Sequence, residues 1–135
     1  MSPVSVDWVV ILAAVVASFV IGMVWYSPLV FGTMWMKLAG APKNAQKVPV
    51  VPMISSVVGA AVMAYVLMHV LVYSSADTVA DGVITAFWMW LGFVVPTIVV
   101  HGLYENRDPK LMGLNLGYNL VSMLAMGTIL MWWPW

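Results

Sequence analysis

A chain of 135 residues that is 64% hydrophobic and only 7% charged is not a water-soluble domain, because such domains carry about a quarter charged residues to cover their surface. Its five acidic and five basic side chains balance to zero, with no basic patch for nucleic acid. The absence of cysteine excludes disulfides, thiolate metal sites and a cysteine nucleophile.

The few charges are segregated. No Asp, Glu, Lys or Arg occurs in 8–36, 48–76, 82–104 or 111–135, and each stretch is long enough for a bilayer-spanning helix of roughly 20 residues. The expectation is an all-α integral membrane bundle: one domain over 1–135 with four transmembrane helices at about 8–26, 53–73, 83–104 and 111–133. The first apolar run is expected to remain as a membrane helix, since MSPVSVD has no basic residue for a signal-peptide n-region. Ser2 and the terminal Trp135 leave no lipidation motif.

Orientation follows from the basic residues. Lys37, Lys43 and Lys47 lie between helices 1 and 2, and Arg107 and Lys110 between helices 3 and 4. The N-terminal tail, the second loop (Asp77, Asp81) and the C-terminus have none. The positive-inside rule then expects both termini on the outer side and both basic loops in the cytoplasm.

In helix 1, Trp8 suits the outer interface, and Trp25 with Tyr26 the inner one. Ala14, Ser18 and Gly22 recur every four residues, a groove for close helix approach unless they reflect only the abundance of small residues in membrane helices. Pro28 restricts Ser27 to an extended conformation and ends the helix. LVFGTMWMKL reads as an interfacial segment anchored by Lys37, and 39–49 as a breaker-rich linker. Helix 2 carries a second ladder (Ser56, Ala60, Ala64) and His69, which reads more simply as an inter-helix hydrogen-bonding group than as a ligand. Asp77 and Asp81 could bind a cation, but turn chemistry and an Asp near a helix N-terminus explain them as well. Helix 3 contains Pro96, which removes a backbone bond and clashes with the Gly92 carbonyl, so a kink is expected. Thr97, His101 and Glu105 follow at spacing four on one face. Helix 4 shows Asn115, Asn119 and Ser122 along one stripe, Gly113 and Gly117 along another, and Trp132, Trp133 and Trp135 as an outer anchor.

Depth decides the metal question at this stage. His69 falls near the outer face and His101 near the inner one, roughly 20 Å apart along the normal. One protomer cannot bring them to one metal or haem, and no catalytic residue, metal site or cofactor is expected. The serines lack a nucleophile-elbow context, and the twelve methionines are ordinary filler. The inner ends of helices 1, 3 and 4 are richer. Ser27, Thr97, His101, Glu105, Asn115 and Asn119, with tyrosines 26, 104 and 118, would line a cytoplasmic polar vestibule if these helices pack together. The plainer alternative places His101 and Glu105 in the headgroup zone and makes the asparagines inter-helix hydrogen bonders.

WYSPLVFGTMWMKLAG (25–40), WLGFVVPT (90–97), GLYENRD (102–108) and LGYNLVSMLAMGTIL (116–130) together resemble a bacterial family designated domain of unknown function 1761. The W-Y-S-P-x-x-F-G segment is the most specific part. The resemblance implies a small four-helix protein of the bacterial inner membrane with no assigned activity, and it carries over no catalytic residue. The expected reading is a non-enzymatic multi-pass protein surrounded by lipid. It is a homo-oligomeric permeation protein for a small solute or ion or, as the alternative, a structural subunit of a larger membrane complex, with an enzyme acting on lipid or quinone a distant third.

Overall fold

The computed structural model describes residues 3–40 and 50–133, and every regular element within them is helical. Lys43, Lys47, the rest of the 41–49 linker and Trp135 lie outside the described residues. Four helices are long and apolar enough to cross a membrane, Trp8–Trp25, Val50–Tyr73, Val79–Tyr104 and Pro109–Trp132, and they fit a multi-pass membrane protein.

Helix α1 (Trp8–Trp25) starts where the Asp7 carboxylate accepts the Val9 N–H at 3.0 Å. It stops ahead of Ser27 and Pro28, and the chain folds back in a tight turn. The Phe31 N–H reaches the Trp25 carbonyl at 3.0 Å, and the Gly32 N–H reaches Ser27 at 2.8 Å. Gly32 is pressed onto the Tyr26 carbonyl and the Ser27 backbone, which leaves no room for a Cβ. The ring of Phe31 covers Trp25 at 4.7 Å between centroids. This closed turn gives the W-Y-S-P-x-x-F-G pattern its physical reason: Pro28 breaks the helix, Phe31 covers Trp25, and Gly32 permits the close approach. The interfacial segment after it is a short helix, α2 (Gly32–Ala39), ended by Gly40 in the left-handed region at φ +63°.

Helix α3 (Val50–Tyr73) begins three residues earlier than the sequence suggests. The third span is also longer than expected. Its first part, α4 (Val79–Met89), begins at Val79 because Thr78 and Asp81 form a capping box. A charge that reads as loop is thus the third residue of a helix, where the N-terminal dipole favours it. Around Pro96 the span carries a π turn, Trp90–Val94, in which the Val95 N–H bonds the Trp90 carbonyl five residues back. The widened turn gives the proline ring space against the preceding turn. The span resumes as α5 (Val95–Tyr104). Asp108 then caps α6 (Pro109–Trp132) by accepting the Lys110 N–H at 2.8 Å, with Pro109 in the first turn.

Helix α6 is the centre of the bundle, packed against α1 on one side and α4 on the other, while α3 leans on α1. The closest approach is between α4 and α6, where Gly82 and Gly127 meet backbone to backbone. The hydrophobic core fills the half of the bundle nearer Asp7, Asp77 and Asp81, with Val10, Met68, Leu71, Met126 and Leu130 fully buried. In the other half, toward Lys37, Arg107 and Lys110, α3 stays mostly exposed over residues 50–58. There the bundle is held by aromatic and polar contacts and opens into grooves.

Candidate functional site

In this basic half, aromatic rings seat on glycines across the α1–α6 seam. A Cβ at Gly22 would lie 3.1 Å from the Tyr118 hydroxyl, and one at Gly117 would lie 2.9 Å from the Trp25 indole. The Trp25 Nε1–H donates to the Leu114 carbonyl at 3.1 Å, and the Trp90 Nε1–H from the π turn donates to Leu116 at 3.0 Å. The two indoles therefore pin α6 from both of its neighbours.

Inside this frame the hydroxyl groups are paired. Ser18 and Ser122 share a buried hydrogen bond of 2.6 Å, and the Tyr118 hydroxyl donates to the Ser18 carbonyl at 3.1 Å. Closer to the basic end, the Tyr26 hydroxyl donates to Asn115 Oδ1 at 2.7 Å. This bond fixes the amide, with its oxygen toward α1 and its NH2 left as a donor.

That amide borders a groove of about 300 Å³ between α5 and α6, whose polar lining is His101, Glu105, Arg107 and Asn115. His101 Nδ1 lies 2.8 Å from the Thr97 carbonyl. A carbonyl only accepts, so Nδ1 carries a proton in this contact, and Nε2 is the ring nitrogen left for another partner. The Arg107 Nε–H donates to Glu105 Oε2 at 2.7 Å, with both side chains a little over half exposed. The groove thus presents donors from Arg107 and Asn115 beside the Glu105 carboxylate and the His101 ring.

Of the residues expected in a vestibule, His101, Glu105 and Asn115 come together in this groove, while Ser27, Thr97 and Asn119 are absent from its lining. The Ser27 hydroxyl bonds the Val24 carbonyl, and exposed Thr97 bonds Phe93 O at 2.7 Å. Asn119 donates to the Asn115 carbonyl of its own helix at 2.9 Å. All three bond backbone carbonyls three or four residues back, the local pattern that competes with contacts between elements. Arg107 is the member that sequence reasoning missed; its signal was the acid-x-base spacing to Glu105. His69 lies between Tyr65 and Tyr73, with ring centroids at 4.4 and 6.0 Å.

Two further grooves flank this one. One, about 260 Å³ between α1, α3 and α6, has apolar walls and the hydroxyls of Ser18, Tyr26, Ser56 and Tyr118. The other, about 430 Å³, lies between α2 and the start of α6.

No curated protein and no solved structure matches the chain significantly. The family model for proteins of unknown function DUF1761 matches residues 9–131, nearly the whole length, and the chain therefore belongs to that family.

Proposed function

We propose that this chain is the subunit of a homo-oligomeric, non-enzymatic permeation protein of a cell membrane, a bacterial inner membrane by family, passing a small solute or ion. Its termini lie outside, and the groove of His101, Glu105, Arg107 and Asn115 forms a vestibule on the cytoplasmic side. The observation that carries this reading is the construction of the third span. It is the least covered of the four, with 6% of its most apolar stretch buried against 33% for Pro109–Trp132. The same span holds the π turn near its midpoint, and its end carries the groove. Irregular backbone at membrane depth is tolerated where it is covered by protein or lines a cavity, and broken helices at the midplane are a feature of transporters. Assembly around this span would place both the irregular turn and the vestibule on the shared axis. A path within one protomer finds no support, because the core from Ala14 to Leu130 is filled by apolar side chains.

The test combines mass and flux. The protein, extracted gently and weighed by native mass spectrometry, is expected as a closed homo-oligomer. Proteoliposomes carrying it should pass K⁺, H⁺ or glycerol faster than protein-free vesicles. Glu105→Gln and Asn115→Leu should slow that flux without changing the mass. A monomer, or flux equal to that of empty vesicles, sinks the proposal.

The pairing of the interior hydroxyls and of Asn115 within the protomer favours a second reading, a structural subunit of a larger membrane complex. Stoichiometric recovery with an unrelated protein would select it.

A further inference from the structure

The groove between α2 and α6 belongs to neither the vestibule nor the α1–α3 slot. Its polar lining is Thr33 and Lys37 from α2 with Asp108 and Lys110 at the start of α6, and its apolar wall is Met34 and Leu38. Two lysines from separate elements thus line one open cleft. Neither has an ion-pair partner among the described residues, where the sole salt bridge joins Arg107 to Glu105. Asp108 is partly engaged, since one carboxylate oxygen accepts the Lys110 N–H as the helix cap. Summed over Lys37, Lys110 and Asp108, the cleft carries one net positive charge. Two exposed cationic side chains lining one cleft attract an anion, and one net positive charge matches a phosphodiester, which carries a single negative charge.

Depth identifies the source of that anion. Helix α2 directly follows the end of the first span, and α6 starts the fourth, so the cleft sits at the boundary where headgroups lie. Its apolar wall, Met34 and Leu38, offers a surface for an acyl chain beside the lysines. Basic pockets between helices at this depth are suited to lipid headgroups.

We propose that Lys37 and Lys110, assisted by the Thr33 hydroxyl, hold the phosphodiester of an anionic glycerophospholipid whose acyl chain runs along Met34 and Leu38. Asp108 limits the site to a singly charged phosphate. The lysines are exposed and their substitution leaves the packing intact, so the fold survives the test.

The experiment is native mass spectrometry of the full chain in detergent, titrated with phosphatidylglycerol, with glycerophosphoglycerol and with inorganic phosphate. Phosphatidylglycerol should remain bound. Each of Lys37→Gln and Lys110→Gln should weaken it about fivefold, and Lys37→Arg with Lys110→Arg should restore it. Equal retention by the parent and the double glutamine variant overturns the site. Binding of glycerophosphoglycerol or phosphate as tight as that of the lipid overturns the membrane as its source.

Discussion

Gly22 of α1 and Tyr118 of α6 form a seat and its occupant: the phenol ring lies over the glycine so closely that a Cβ there would meet ring atoms at 3.1 to 3.4 Å. The same ring turns its hydroxyl to the Ser18 carbonyl one turn away. One small residue therefore decides whether an aromatic and a polar contact form together. Gly22→Ala should destabilise the protein by about 1–3 kcal/mol through overpacking. Thermal unfolding in detergent measures it, and an unchanged midpoint would show that Tyr118 yields freely.

The glycines of this bundle fall into two groups with opposite expected responses. Gly82 and Gly127 touch backbone to backbone, so Gly127→Ala must push α4 and α6 apart and should cost about 1–3 kcal/mol or more. Gly113 faces open space on the same helix. Gly113→Ala should be neutral or stabilise by about 0.5–1 kcal/mol, because alanine restricts the unfolded chain. Both are read from the same melting series.

Ser18 and Ser122 should be coupled but weakly. Hydrogen bonds between membrane helices average about 0.6 kcal/mol and reach about 1.7 kcal/mol. A double-mutant cycle of Ser18→Ala and Ser122→Ala is expected within that range, since the pair is buried and 2.6 Å apart. A coupling near zero would mean that Tyr118 compensates as partner.

Glu105 and Arg107 should separate stability from flux. Their ion pair is about half exposed and worth less than about 1 kcal/mol. Glu105→Gln should leave the melting temperature nearly unchanged. If the vestibule guides a permeant, the same variant slows flux; a variant altering stability more than flux would argue for a structural pair.

Membrane sidedness has its own check. A cysteine introduced beside Asp81 should react with an impermeant thiol reagent in intact cells. Reaction only in broken cells would reverse the orientation expected from the basic loops.

The sequence alone determined that the chain forms four helices long and apolar enough to cross a membrane, and their approximate ends. Charges are so costly in hydrocarbon that their few positions divide the chain into apolar runs, and runs such as 48–76 are long enough to cross a bilayer. It also made the end of α1 legible, because Pro28 acts through local backbone geometry, whereas the fold-back that seats Gly32 on the Tyr26 carbonyl appears only in the structure. The start of α4 was misplaced by four residues for a related reason: Asp81 reads as loop by charge, while the reciprocal bonds with Thr78 make it part of a cap.

Only the tertiary structure decided which polar groups meet. Ser27, Thr97 and Asn119 were expected beside His101, but periodicity gives face and not the neighbour, and each found a carbonyl three or four residues back. Asn115 instead met Tyr26, and Lys37 met Lys110 at one cleft, because α6 lies beside both α1 and α2. That neighbourhood is set by where glycines let helices touch, Gly22 and Gly117 on one side and Gly82 with Gly127 on the other. Contact between two surfaces depends on both at once, and a linear pattern describes one surface at a time.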